Sequence, residues 1–333
     1  MRWDVAGLGN ALMDALVVVP NAESLLDELG LVRGTMHLVQ HEAWHAAYER
    51  VKGHGVALES GGSCSNTIAT LGRLGARAVY CGQVGADTLG EVYAERMMDA
   101  CGAHRLHVND ELPTGKCLAI VSAEDAERTM LTDLGAAVAL PSLGAYAEDL
   151  ASSRVAHFEG YTMLDGPMLP VVEEAMKVAK ASGALVSIDA ADPFVVVTIR
   201  ERLWHYLATY ADIVFLNAEE ARALTGEAPE DAAEIIARDA KLATVIVKLG
   251  SRGSIVVHNG ERYEIGVTPV HALDTTGAGD AYAGGYLYGV VHGWDPARCG
   301  TLASAVAAAT VSQIGAVVKD GTKLRALADQ IGA

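Results

Sequence analysis

The amino-acid sequence predicts an α/β protein: a doubly wound, mostly parallel sheet flanked by helices, with a small β-sheet lid beside it. Three observations support that expectation. Short apolar runs rich in β-branched residues alternate with longer helical patterns, the rhythm of βαβ units. Of the 333 residues, 51% are hydrophobic and only 5% aromatic, a balance that suits strands covered on both faces by helices. Two stretches then break the alternation, with strand-like pieces and no crossover helices between them.

In chain order, the first strand is expected over Asp4–Gly9. Ala15–Val19 and Met36–Gln40 follow as lid pieces, then a helix over Glu42–Val51 and another from the Gly61-Gly62 turn to Leu74. Val79–Val84 and a helix near Thr88–Cys101 resume the βα rhythm. Lys116–Ser122 and Arg128–Thr132 return to the lid, whose strands, lacking crossovers, are expected to pair antiparallel. Further strands are expected at Arg154–Phe158, Ala184–Asp189, Asp212–Leu216 and Ala243–Leu249, separated by helical sequence such as Met168–Ala181. Gly279–Val291, Pro296–Gln313 and Thr322–Ile331 read as closing helices. No repeat, low-complexity tract or linker divides the chain. One domain over 1–333 is therefore expected, with the lid inserted from about 12–40 and 106–135.

The formal net charge is −17 and no Lys/Arg cluster stands against it, so nucleic acid is not an expected partner. A membrane is not expected either. Asp4 and Asp14 interrupt the apolar N-terminal run, and no other run reaches spanning length. Five scattered cysteines without a C-x-x-C pair read as reduced thiols of a cytoplasmic protein.

The most informative segment is Asp274-Thr275-Thr276-Gly277-Ala278-Gly279-Asp280. Glycines allow a tight turn into a small-residue helix, whose free N–H groups carry partial positive charge and suit a phosphate. A carboxylate at Asp280, beside that anion site, can accept the proton of an attacking hydroxyl. The same residues also suit a helix cap with glycines for close packing, and the segment alone leaves both readings open.

Three further groups are ambiguous in the same way. Gly61-Gly62 with Asn66 opens a helix, either as a ligand approach or as an ordinary glycine turn. Asn217 and Glu220 follow a strand at the sheet's carboxyl edge, three residues apart. They can hold Mg²⁺ through waters or form an N-cap. Asn10 and Asp14 follow the first strand and can grip neighbouring sugar hydroxyls, or be a turn residue and a solvated acid. His41-Glu42-Ala43-Trp44-His45 matches H-E-x-x-H, but no third ligand is evident, so it reads as part of a helix. Gly7-Leu8-Gly9 lacks the third glycine of a dinucleotide fingerprint, and no Walker-type phosphate loop occurs.

Taken together and in this order, the groups resemble the ribokinase-like (PfkB) carbohydrate kinase family over nearly the whole chain. Gly61 through Gly75, Gly85 and Gly90 match its first signature, and Asp274–Leu287 its second. The resemblance implies a doubly wound sheet with a β lid, and transfer of the ATP γ-phosphate to a primary hydroxyl. It implies Asp280 as catalytic base, with Gly277, Ala278 and Gly279 as the anion hole. It likewise implies Asn10, Asp14, Gly61, Gly62 and Asn66 at substrate hydroxyls. Asn217 and Glu220 correspond to a Mg²⁺-phosphate motif, and Lys248, Gly250, Gly253 and Thr276 to ATP contacts. Asp274, with the Thr276 carbonyl, corresponds to a monovalent-cation (K⁺) site of some members.

Gly9–Asp14, Pro113–Cys117 and Ala126–Met130 look most like the adenosine-kinase branch, with Arg128 as a lid arginine that reaches the phosphates. The acceptor implied is the 5′-OH of adenosine or a related nucleoside. A ribose- or fructose-type sugar is the alternative, and a kinase-derived regulator without catalysis is the alternative of another class. Both a monomer and a homodimer stay open, because exposed lid strands offer an edge for pairing.

Overall fold

The protein is described by a computed structural model over residues 1–125 and 127–333; Ala126, part of the lid motif, lies outside the described residues. In chain order the strands are β1 Trp3–Leu8, β2 Leu12–Val19, β3 Met36–Leu38, β4 Ala57–Gly61, β5 Ala78–Gly85, β6 His104–Asn109 and β7 Gly115–Ser122. They continue as β8 Arg128–Asp133, β9 Ser153–Glu159, β10 Leu185–Asp189, β11 Ile213–Asn217, β12 Thr244–Lys248, β13 Ser254–His258 and β14 Glu261–Ile265.

Nine of them form one sheet in the order β14-β13-β12-β11-β10-β9-β1-β5-β6. From β6 to β12 every neighbour is parallel. Such strands are buried on both faces, and β5 is buried at every position. Alternate residues serve opposite cores: Ala6 and Leu8 pack with Phe158 and Ile188 on one side, Val5 with Tyr80 and Ile68 on the other. The helices Ser63–Leu74, Ala278–Val291 and Pro296–Val311 cover the second side. At the far edge β13 and β14 form an antiparallel hairpin. Its turn, Asn259-Gly260, has both residues at positive φ, the pairing a tight hairpin of this hand requires. That dipeptide signal was legible in the sequence, yet the hairpin was not among the expected strands.

The other five strands form a separate sheet, β3-β8-β7-β2-β4. Its expected antiparallel pairing is corrected by the structure. β2 pairs parallel with β7, and β3 with β8; only β2–β4 and β7–β8 are antiparallel. The crossover that parallel strands need is present, because the chain between β2 and β7 passes through β5 and β6 of the large sheet. Two boundaries change as well. β4, with the polar sequence Ala-Leu-Glu-Ser-Gly, is an unexpected fifth strand. His104–Asn109 pairs with β5 in the large sheet, so the expected lid segment beginning near 106 takes in a strand that belongs elsewhere.

One face of the small sheet is closed. Val17, Leu118, Ile120 and Leu131 pack against Leu26 of the helix Ala22–Glu28 and Trp44, Ala47 and Val51 of the helix His41–Val51. The register aligns Asp14 with Cys117, and Cys117 with Thr132, in one row across β2, β7 and β8. Because side chains alternate along a strand, this row lies on the face opposite the closed one.

Candidate active site

The helix Ala278–Val291 begins at Gly277, whose φ of 72° suits glycine. A Cβ there would also lie 2.6 Å from Ala316. Position Gly277 therefore combines a left-handed turn with close packing, and it delivers Ala278, Gly279 and Asp280 as the helix's first turn.

Asp280 is half-buried and held by the opposing helix. Ser63 Oγ donates to one carboxylate oxygen at 2.7 Å and Asn66 Nδ2 to the other at 2.9 Å. Asn66, expected at a substrate hydroxyl, thus also orients the Asp280 carboxylate, and Ser63 joins it. Loss of solvent pushes the Asp280 pKa up to about 6, helped by the charge of Asp189 and opposed by Asn66, Ser63 and Lys248. A carboxylate poised there is ionised at neutral pH yet basic enough to take a proton.

The expected phosphate-side residues converge on one cavity of about 780 Å³ at the carboxyl edge of the large sheet. Gly277, Ala278, Gly279 and Asp280 form one wall; Asn217, Glu220, Lys248, Gly250 and Gly253 line it from β11 and β12 onward. Thr276 is not part of that lining; its amide donates to Asp274 at 2.8 Å. A second cavity, about 810 Å³, lies by Asp87, Asn109–Pro113 and Asp133 and touches none of the expected site residues. Two of its acids are engaged within the protein, Asp87 by Thr114 and Asp133 by Lys116. The expected phosphate-side residues gather at the first cavity.

The expected acceptor-side residues also come together. A Cβ at Gly61 would meet the Asp14 carboxylate at 2.2 Å, and one at Gly62 the Asn10 carbonyl at 2.2 Å. Asp14 is close enough to Asp280 to feel its charge. Its pKa rises to about 7, chiefly through lost solvation and then that repulsion, with Arg128 pulling the other way.

Asn217 and Glu220 realise the helix-cap reading. Asn217 Oδ1 accepts from the amides of Glu219 and Glu220 at 2.9 Å, and Glu220 Oε2 accepts from Asn217 N at 2.8 Å. The second Glu220 oxygen takes the Asn217 side-chain amide, so neither side chain offers a free oxygen for direct metal binding. Among the described residues no group of three His, Cys, Asp or Glu could hold a metal ion. The charge balance nevertheless fits a hydrated divalent cation. Asp189, Glu220 and Asp280 surround the cavity against the one ammonium of Lys248. Burial, with Asp189 nearby, lifts Glu220 to about 7. Mg²⁺ retains most of its waters and is suited to such a second-sphere arrangement.

Asp274 is held by donors from three places in the chain. Arg128 of β8 ion-pairs with its Oδ1, which also accepts from Thr276 N, and Oδ2 accepts from Gly315 N at 3.0 Å. Both carboxylate oxygens are engaged and the pKa falls to about 2, these donors outweighing its burial. Arg128 accordingly bridges the small sheet to the loop that leads to Gly277.

Sequence reasoning missed Glu159. It is 1% exposed, and its oxygens accept from Asn10 N at 2.8 Å and Cys64 N at 2.6 Å, tying together the two acceptor loops. The readable signal was a carboxylate directly after the apolar run Arg154–Phe158, at the ligand edge of the sheet. Asp189 similarly ends its strand, β10, and Lys248 Nζ donates to it at 3.0 Å.

Residues 29–321 match the model of the pfkB family of carbohydrate kinases. The structure superposes on that of adenosine kinase from Sinorhizobium meliloti with a TM-score of 0.87 and 34% identity, covering 98% of this chain and 99% of that one. For a probable sugar kinase from Rhizobium etli CFN 42 the TM-score is 0.89 at 31% identity, covering 99% of each chain. Adenosine kinase of Schizophyllum commune is 29% identical over 311 residues, 86% of this chain and 88% of that protein. The fold is thus ribokinase-like, and the alternative of a regulator without catalysis falls. Among the described residues no helix is long and apolar enough to cross a membrane. On this evidence the chain belongs to the pfkB family of carbohydrate kinases and is a phosphotransferase acting on a hydroxyl group.

Proposed function

We propose that the protein is a cytoplasmic kinase that transfers the ATP γ-phosphate to the 5′-OH of adenosine or a related nucleoside. The observation that carries this reading is the Asp280 carboxylate, raised to a pKa of about 6 one residue beyond the Gly277–Gly279 amides. Asp280 takes the hydroxyl proton as the phosphate transfers, and the loop amides receive the charge that develops on it. Asn10, Asp14, Gly61, Gly62 and Asn66 frame the acceptor, while Lys248, Gly250 and Gly253 flank ATP. Arg128, tied to the foot of the same loop through Asp274, brings a guanidinium from the small sheet.

Asn217 and Glu220 are the residues that would hold a hydrated Mg²⁺, which would supply neutralisation of phosphate charge. The small sheet serves as the lid of a single kinase domain and keeps water from the transfer. The adenosine kinases at 34% and 29% identity support a nucleoside acceptor. A hydroxyl-rich sugar is the second reading, favoured by the probable sugar kinase at 31% identity. A panel of nucleosides and sugars, followed by coupled ADP release, separates them. Adenosine is expected to give the highest kcat/KM, and faster turnover of ribose or fructose would overturn the nucleoside reading.

A further inference from the structure

We propose that Lys248 is a catalytic cation of this reaction, its ammonium contacting the phosphoryl group in transit beside the amides of Gly277–Gly279. The inference rests on the kinase reading above and adds a residue to its machinery.

Lys248 ends β12 at the ligand edge of the sheet and lines the same cavity as Asp280. Its side chain is only 15% exposed, and Nζ lies 3.0 Å from the buried Asp189 carboxylate. A Cβ placed on Gly279 would lie 3.0 Å from Nζ, so the ammonium sits directly against the loop at Gly279. An ammonium has three donors. Among the described residues its one hydrogen-bond partner is Asp189, which leaves two donors for a ligand in the cavity.

Burial alone would favour the neutral amine, but Asp189, Glu220 and Asp280 outweigh it and hold the pKa above the ordinary lysine value. The group is thus a fixed positive charge and neither gives nor takes a proton. Charge spread over the equatorial oxygens of a phosphoryl group in transit is what such a point charge stabilises. A lysine serving only to neutralise Asp189 and Glu220 would need neither the free donors nor the close approach to the loop.

The test is steady-state kinetics of K248M, K248R and D189N/K248M with ATP and the best acceptor of the panel, alongside thermal melting. K248M is expected to lose about 100-fold in kcat, the scale of one oxyanion donor, with the acceptor KM little changed. K248R is expected to regain part of the loss. D189N/K248M removes the unpaired acid and should fold even where K248M does not, yet remain as slow. Recovery of turnover in D189N/K248M, or a kcat for K248M within about threefold of wild type, would reduce Lys248 to a counter-ion and overturn the proposal. D280N run in parallel separates the two levels. An active D280N defeats the base assignment itself, whereas a dead D280N beside an active K248M defeats only the lysine.

Discussion

The two aspartates that bracket the Gly277–Gly279 loop, Asp274 and Asp280, are six residues apart and electrostatically opposite. Asp274 is met by the Arg128 guanidinium and the amides of Thr276 and Gly315, and sits near pKa 2. Asp280 has two neutral side-chain donors, loses solvent and faces Asp189, and sits near 6. Residue type and motif are shared; the donors around each carboxyl decide the role. One is a permanent anion that fastens the loop to the small sheet; the other is the base of the proposed reaction.

The largest expected break in this contrast is Asp280→Asn. An amide there can accept with only one of its two terminal atoms and cannot take the hydroxyl proton, so kcat should fall about 10³-fold while ligand binding persists. Calorimetric titration of adenosine beside coupled ADP release checks both halves. Next comes Gly277→Val, which forces a β-branched residue to positive φ against Ala316. A stability loss of about 2–3 kcal/mol and a marked loss of kcat are expected as the loop shifts, read by thermal melting and steady-state rates.

Asp274→Asn should act chiefly on stability. A carboxylate whose folded pKa is depressed contributes above its unfolded value and loses that contribution as pH falls through the folded one. The variant should therefore be less stable by about 1–2 kcal/mol at pH 7. The gap should close as pH falls from about 4 towards 2, a trend urea denaturation across pH can follow. A constant gap at all pH values would mean that Asp274 acts through packing and not through its charge.

Much of the large sheet was legible because its strands are buried on both faces, and that burial appears as continuous apolar runs such as Val79–Val84. The small sheet was less legible. β4 shows no apolar alternation, and the parallel pairing of β2 with β7 depends on a long excursion that local pattern cannot reveal. Within the site, Asp280 and its glycines were readable from helix-start chemistry. The partners that tune them were not. Ser63 and Asn66 reach Asp280 across more than 200 residues of sequence, and Arg128 reaches Asp274 across 146. Whether Asn217 and Glu220 cap a helix or hold a metal was ambiguous from spacing, and the structure realises the cap while leaving the nearby negative charge unbalanced.

The contrast itself is measured most directly by a ¹³C NMR titration of the aspartate carboxyls in the ligand-free protein. Assignment comes from the signals lost in D274N and D280N. The account predicts that the Asp280 signal titrates near pH 6 and the Asp274 signal near pH 2. Both carboxyls titrating together near the ordinary aspartate value of about 4 would contradict it.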